Sequence, residues 1–466
     1  MADRHDLVII GGGPGGYAAA LYAAAAGLDV AMVESRQVGG TCLHRGCIPA
    51  KALLETATVR RTLASAADFG FTVEEPTLDF GVSQDRSTGV IDKLHKGLSG
   101  LLGSRKVRIV AGTGVLAGPG KVAVSGGDDG DVELEGDAVI LAAGSVPRTI
   151  PGFDVDGSLV LTSDEITRGK DLPASAVVIG GGAIGCEFAS ALADLGVEVT
   201  ILEALPKILP GLDADVAKIV ERSFKKRGIT IHTGVQVTGH TPGGAGTTVE
   251  FGDGQSVEVE KVVVSVGRRP LSDSLGLDGS GVELDERGFV KVDERCRTTL
   301  DGVWAVGDVI PTAQLAHVAF AEAIVAVRDL LGEDPLPVEY TKVPWCIYCH
   351  PEVAFAGLSE DAAKEAGYDV VTVKHRFGGN GRALIIGEAE GLVKIIAEKQ
   401  EDGTGGRILG VHMVGPWVTE QLGQGYLAVN WEATVDDVAQ YLQPHPSLSE
   451  NFGEAVMTLT GRGLHG

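Results

Sequence analysis

Two cysteines and one histidine stand where they could do chemistry. Cys42 and Cys47 lie in GGTCLHRGCIPAK, and the four residues between them can form one helical turn that brings the two sulfurs into disulfide range. In a chain with no export signal, such a disulfide is usually redox-active. Two inert buried thiols are the plain alternative. Half of a zinc site completed by Cys346 and Cys349 is another, disfavoured because the two pairs come from distant segments of different character, and no metal site is expected. Near the end of the chain, QPHPSLSENFGE puts His445 and Glu450 five residues apart around a proline-rich turn. A histidine oriented by a carboxylate is what a general base needs near neutral pH, although the pair alone could be a loop histidine bonded to its neighbour. Cys186 and Cys296 read as incidental thiols. Cys346-Ile347-Tyr348-Cys349-His350 spells a haem-attachment pattern but sits beside an apolar strand, so its cysteines read as structural.

A second kind of chemistry is written in glycine. LVIIGGGPGGYAAALYAAAAGLDVAMVE reads as strand, turn, helix and strand, ending on Glu34, and SAVVIGGGAIGCEFASALADLGVEVTILE repeats the plan and ends on Glu203. Gly11, Gly13, Gly16 and Glu34 map onto Gly180, Gly182, Gly185 and Glu203 with one offset of 169. In each unit the first glycine allows the tight turn, the second lets a pyrophosphate approach the backbone, and the third lets helix and strand pack closely. The helix N-terminus supplies N–H groups and a positive dipole to the phosphates. Glu34 and Glu203 are placed to accept hydrogen bonds from a ribose diol. A carboxylate there repels a 2′-phosphate, so the second unit is expected to prefer NAD over NADP. A disulfide exchanges two electrons and a flavin can pass both to NAD as hydride, which makes a disulfide beside a flavin the economical combination.

These residues need a large scaffold. The 466 residues predict about three domains. Lys and Arg total 39 against 63 Asp and Glu, a net charge of −24 that repels phosphate backbones and anionic lipid, so nucleic acid is excluded as a partner. Six cysteines are too few for a disulfide-built scaffold. The uncharged run 7–28 has the length of a membrane span, but its glycine-rich centre breaks it and acidic Asp3 and Asp6 sit where a signal peptide wants positive charge. No membrane insertion and a cytoplasmic location are expected. Residues 55–110 read as helical and 111–150 as short strands closing on VILAAGSVP. A similar strand, KVVVSVGRRP, closes near Pro270, GVWAVGDVI ends on Gly307-Asp308, a helix follows over 317–331, and GEDPLPVEY marks a linker. The expected fold class is α/β, with two Rossmann-like dinucleotide-binding domains plus a C-terminal α+β domain. The expected domains are 1–150, 151–270, 271–344, which completes the first site, and 345–466.

With both glycine fingerprints, the Cys-x4-Cys pair, Gly307-Asp308 and His445-Pro446 in this order, the whole chain resembles the FAD-dependent pyridine nucleotide–disulfide oxidoreductases. GGTCLHRGCIPAKALL, WAVGDV, QLAHVAFAEA, HPEVAFAGLSE and HPSLSE are most similar to the branch that oxidises dihydrolipoyl groups. The resemblance implies that Gly11, Gly13, Gly16, Glu34, Gly40, Thr41, Lys51, Gly114, Gly144, Asp308, Leu315, Ala316 and His317 hold FAD, with Lys51 beside the flavin and paired with Glu187. Gly180, Gly182, Gly185, Glu187, Glu203 and Gly267 would hold NAD. His445, oriented by Glu450 and reaching in from the other subunit of a homodimer built on 345–466, would take a proton from a dihydrolipoyl thiol whose electrons pass through Cys42 and Cys47 and FAD to NAD. No lipoyl-bearing domain is expected before residue 1, so a lipoyl-bearing acyltransferase subunit of a 2-oxo acid dehydrogenase complex, or a glycine cleavage carrier protein, is the expected partner. His44-Arg45 replaces the family's usual Asn-Val, and Gln443 stands where a first histidine is common. A low-molecular-weight disulfide reductase of the same family, or a non-catalytic flavin-binding interaction protein, is the alternative.

Overall fold

The computed structural model describes residues 3–74, 76–127 and 130–465. Its first unit is built from β1 (Asp3–Ile10), α1 (Pro14–Ala25), β2 (Val30–Glu34), α2 (Gly40–His44), α3 (Cys47–Ala64), α4 (Phe80–Ser104), β3 (Arg108–Ala111), β4 (Thr113–Gly118), β5 (Lys121–Ser125) and β6 (Val132–Leu141). Pro14 opens α1, where its missing N–H costs nothing. Strands β3, β2, β1 and β6 run parallel in that order, and β5 and β4 continue the sheet as an antiparallel meander. The helical expectation over 55–110 resolves into α3 and α4 with a break between them, because Asp79 caps α4 by accepting the Val82 N–H.

β7 (Ser145–Pro147), β8 (Val160–Leu161) and α5 (Ser163–Ile166) lead into the second unit. It comprises β9 (Ser175–Ile179), α6 (Ala183–Asp194), β10 (Glu198–Glu203), α7 (Ala214–Lys226), β11 (Thr230–Thr233), β12 (Val237–Gly243), β13 (Gly246–Phe251), β14 (Gln255–Val259) and β15 (Lys261–Val264). The parallel sheet runs β11-β10-β9-β15-β8, and β12, β13 and β14 form a separate antiparallel sheet. The offset of the two glycine fingerprints is carried into the backbone: α6 begins and ends 169 residues after α1, and β10 ends 169 residues after β2. The chain then returns. β16 (Arg268–Pro270) pairs antiparallel with β7, and β17 (Val303–Ala305) adds to the first sheet alongside β6, followed by α8 (Ala316–Leu330).

The rest is α+β, with β18 (Trp345–Ile347), β19 (Glu352–Gly357), α9 (Glu360–Glu365), β20 (Val370–Arg376), α10 (Gly381–Ile385), β21 (Leu392–Lys399), β22 (Gly405–Gly415), α11 (Val418–Asn430), α12 (Val435–Ala439) and α13 (Glu450–Leu459). Its sheet runs β18-β19-β22-β21-β20, antiparallel throughout. Among the described residues, no helix is long and apolar enough to cross a membrane, and no group of three or more His, Cys, Asp or Glu side chains could hold a metal ion.

One buried ion cluster joins this sheet to the second unit. Lys394 on β21 is 1% exposed, and its ammonium donates to Asp213 (2.9 Å), Asp215 (2.7 Å) and Glu360 (2.7 Å). Burial raises Asp215, but Lys374 and Lys394 outweigh it and hold the carboxyl below its ordinary pKa; Lys364 and Lys394 do the same for Glu360. Removing one partner of a buried pair strands the other's charge, so Lys394→Met is expected to lower stability by about 3–5 kcal/mol at pH 7. Both carboxyls have depressed pKa values in the folded state, so their contribution is present above the unfolded carboxyl range and lost as pH falls through the lowered folded values. The thermal gap between wild type and variant should therefore narrow on acidification.

Candidate functional site

The two glycine turns are near copies. Gly11 and Gly180 have φ of +108° and +107°, and a Cβ on either would come within 2.3 or 2.4 Å of the carbonyl oxygen of the residue that follows the neighbouring strand, Ala142 or Ser265. A Cβ on Gly16 or Gly185 would sit 1.8 or 1.9 Å from the carbonyl of Gly11 or Gly180. These four positions are closed to any side chain by backbone contact. Gly182 has nothing within 4 Å and Gly13 only the Cα of Gly40 at 3.9 Å, which leaves open space over each turn where a phosphate group needs it. Each acidic residue first holds its own turn. Glu34 Oε2 accepts the Gly12 N–H (2.7 Å) and Oε1 that of Arg36 (2.7 Å), while Glu203 accepts from Gly181 (2.6 Å) and Leu205 (2.7 Å). Every carboxylate oxygen keeps a lone pair for a further donor.

The first turn opens into a cavity of about 560 Å³. Gly11, Gly13, Glu34, Gly40, Thr41, Cys42, Cys47, Lys51, Gly114, Gly144, Glu187, Asp308, Leu315 and Ala316 line it, so most of the residues expected at the flavin site converge there. The N-terminal turns of α1 and α8 both reach it, which gives two dipole ends for anionic groups. Gly16 packs beneath the turn. The ring of His317 is turned to the Pro344 carbonyl (2.8 Å) and is not part of the lining. Dinucleotide binding fits on three counts: the open space over Gly13, the two helix ends, and the polar wall.

That wall contains residues the sequence did not single out. Arg268 donates to the Ser145 hydroxyl (2.7 Å), which donates to Asp308 (2.5 Å), while Asp164, Gln314 and Cys346 come from three further segments. Ser145 and Arg268 meet diagonally across the β7–β16 ribbon, where Arg268 is paired with Pro147 and Ser145 with Pro270. The strand-ending glycines Gly144 (φ +74°) and Gly267 (φ +98°), which lead into those two strands, were the available signal.

Cys42 and Cys47 do not lie on one helical turn. In an unbroken helix residues five apart point about 140° away from each other at 3.6 residues per turn. The chain instead breaks at Arg45 and Gly46, so that Cys42 lies in α2 and Cys47 begins α3. The break turns the sulfurs to face one another. Both are free thiols here, with Cys42 half-buried and Cys47 exposed to the cavity. The neighbouring Cys42 thiol and Lys51 pull Cys47 below the ordinary thiol pKa, while the pairing with Cys47 and burial drive Cys42 up. Lys51 bonds both oxygens of Glu187 (2.8 and 2.9 Å), which also accepts the Tyr348 N–H (2.8 Å). Burial works against the Lys51 charge, but Glu187 outweighs it and raises the pKa, so the ammonium persists beside Cys47.

His445 lies apart from this cavity, with its side chain 80% exposed. Its Nδ1 is 2.8 Å from Glu450 Oε1, and Glu450 Oε2 accepts the Ser447 N–H (2.7 Å). Burial raises Glu450, but the Ser447 N–H and His445 outweigh it and keep the carboxyl ionised. A carboxylate only accepts, so Nδ1 carries the proton and Nε2 presents a lone pair to solvent.

The second and third glycines of the second turn separate folding from binding. Gly185→Ala is expected to destabilise the second unit, since its methyl would lie 1.9 Å from a backbone oxygen, while Gly182→Ala should fold normally and bind NADH roughly tenfold more weakly. Thermal melting and NADH titration distinguish them; equal melting temperatures would refute the assignment.

Residues 5–323 match the family described as pyridine nucleotide-disulphide oxidoreductase, and 343–456 match the dimerisation domain of the same family. A dihydrolipoyl dehydrogenase of Bacillus subtilis is 42% identical over the full length of both chains, and one of Chlorobaculum parvum is 39% identical over 97% of this chain and 96% of the relative. Among solved structures, LpdA from Mycobacterium tuberculosis superposes with a TM-score of 0.91 at 29% identity, covering 98% of this chain and all of that one. The HOCl-induced flavoprotein disulfide reductase RclA from Escherichia coli gives 0.88 at 26%, with 98% and 100% covered. The expected fold of two Rossmann-like units and a C-terminal α+β domain stands, and the chain belongs to the pyridine nucleotide-disulphide oxidoreductase family.

Proposed function

We propose that the protein oxidises protein-bound dihydrolipoyl groups to the lipoyl disulfide with NAD, using FAD and the Cys42–Cys47 pair. The observation that carries this reading is the convergence, on one cavity, of a facing thiol pair, a lysine held charged beside it and a dinucleotide turn. FAD and NAD are the cofactors, the first over the Gly13 turn and the second over the Gly182 turn. Bound there, FAD supplies two-electron exchange with the cysteine pair and hydride transfer to NAD.

The chain's own residues handle protons and sulfur. From the oxidised pair, His445 Nε2 takes a proton from a substrate thiol, and the Glu450 carboxylate stabilises the imidazolium that forms. The substrate thiolate attacks Cys42, the Cys42–Cys47 bond breaks, and Cys47 leaves as a thiolate stabilised by Lys51. The second substrate thiol then attacks the substrate sulfur bound to Cys42. The lipoyl disulfide closes as the proton of that second thiol passes to the departing Cys42 sulfur, leaving Cys42 as a thiol, Cys47 as the thiolate beside Lys51 and the first proton on His445.

His445 does not line the cavity that holds the cysteines, so this reading makes it part of a site completed by the partner subunit of a homodimer. The match to a dimerisation domain supports that pairing. So do the exposed apolar side chains just before it, Trp431 (76% exposed), Tyr441 (71%) and Leu442 (97%), which demand cover. A lipoyl-bearing acyltransferase or glycine cleavage carrier is the macromolecular substrate, and a pair that cycles against NAD belongs in the cytoplasm.

Comparing steady-state turnover of dihydrolipoamide with NAD against glutathione disulfide with NADPH tests the assignment; preference for the second pair would replace it with a small-disulfide reductase. Cys42→Ser is expected to abolish lipoamide turnover while FAD stays bound and NADH still reduces artificial acceptors. His445→Gln should lower turnover roughly 10²-fold or more with NAD binding intact, and a near-wild-type rate would remove it as the base.

A further inference from the structure

The turn that presents Cys42 is tied down from an unexpected quarter. Helix α2 has only five residues, too few to hold its own conformation. Its orientation must come from outside bonds. At its start, the Gly39 N–H donates to the Gly12 carbonyl of the dinucleotide turn (2.8 Å), and Gly40 abuts Gly13 so closely that a Cβ would fall 2.6 Å from the Gly13 Cα. At its end, His44 reaches back and places Nε2 2.9 Å from the carbonyl oxygen of Val38. The same oxygen lies 3.0 Å from Nδ1 of His95, which belongs to α4 and is 57 residues away in the chain.

A carbonyl oxygen only accepts, so each of these ring nitrogens carries a proton, and the two bonds use both lone pairs of Val38. The rings also meet edge to face, with centroids 5.1 Å apart and planes at 67°. His44 alone closes α2 onto its own turn. His95 fastens that turn to α4, a 25-residue helix anchored elsewhere by its own packing. Both rings spend their bonds on the Val38 carbonyl, and the segment they fix, 38–44, contains Cys42.

We propose that His95, together with His44, is a positioning residue of the redox pair, holding the Val38 carbonyl so that Cys42 stays opposite Cys47. The inference rests on the reading of Cys42 and Cys47 as a redox couple. Disulfide formation depends on the effective concentration of one thiol at the other, which falls as either is freed to move. Loosening the turn therefore favours the dithiol.

The test uses FAD-loaded full-length enzyme and two substitutions. His95→Phe keeps a ring against His44 but donates nothing, whereas His95→Asn keeps an N–H near the place of Nδ1. In dithiothreitol redox buffers, with Cys42 and Cys47 scored by alkylation, His95→Phe is expected to shift the couple at least threefold toward the dithiol. It should also lower kcat severalfold at unchanged KM for NAD, and His95→Asn should restore both. If His95→Phe loses FAD, His44→Leu with His44→Gln as its rescue is read the same way. A couple and kcat unmoved in the Phe variant, or an Asn variant as impaired as the Phe variant, overturns the proposal. If wild type never forms the disulfide in these buffers, the redox reading itself fails; a normal wild-type couple with an unmoved variant sinks only the role of His95.

Discussion

The site depends on one carboxylate. Glu187, on the helix of the second dinucleotide unit, bonds Lys51 from the helix that begins with Cys47 and the backbone N–H of Tyr348 from the third unit. Three segments far apart in sequence thus meet at a side chain only 6% exposed. A buried ion pair of this kind gives little net stability, since desolvation offsets most of the Coulomb attraction. What it gives is position. The Lys51 ammonium is held beside Cys47 and under the Tyr348 ring, 4.8 Å from its centroid, so one thiol of the pair is favoured as the thiolate.

The two glycine turns have the same backbone but different neighbours. Over the first, Gly40 approaches Gly13, and the short helix bearing Cys42 starts from that contact. Over the second there is open space. One turn is therefore built into the redox loop, and the other is free for a ligand that must come and go. The acidic residue at the end of each second strand is also doubly employed, because its carboxylate already bonds two backbone N–H groups of its own turn before any ribose arrives. Replacing either would disturb the turn as well as the ligand, so a loss of NAD selectivity at Glu203 needs a measure of turn integrity beside it.

Local pattern made much of this legible in the sequence. The glycine spacings, the terminal acids, the repeat at one offset, and His445 with Glu450 are all short-range features whose geometry follows from backbone rules. That facing sulfurs need a break was implicit in the spacing, since residues five apart on one helix point about 140° away from each other, but its place at Arg45 and Gly46 follows from tertiary contacts and left no pattern. Contacts between remote segments were equally hidden. Arg268 with Ser145, Ser145 with Asp308, and His95 with Val38 are each 57 or more residues apart and leave no periodic trace. His317 is the instructive contrast. It stands at the start of a helix whose backbone faces the cavity, and its ring is nevertheless spent on a carbonyl outside it.

The placement of the base sets the final constraint. The Glu450 carboxylate fixes the His445 proton on Nδ1, so the ring is already in the tautomer that a base requires, yet it projects into solvent away from the thiols. A base that met the cysteines within one chain would have to reach across the third unit into the cavity. One supplied by a second copy needs only that the two apolar faces close, and burial at about 25 cal/mol per Å² of apolar surface makes that closure favourable. On the proposed reading, the association that covers Tyr441 and Leu442 is thus the same event that brings Nε2 to a substrate thiol. Catalysis would then track dimer concentration, while the dithiol pair, Lys51 and Glu187 remain complete within each chain.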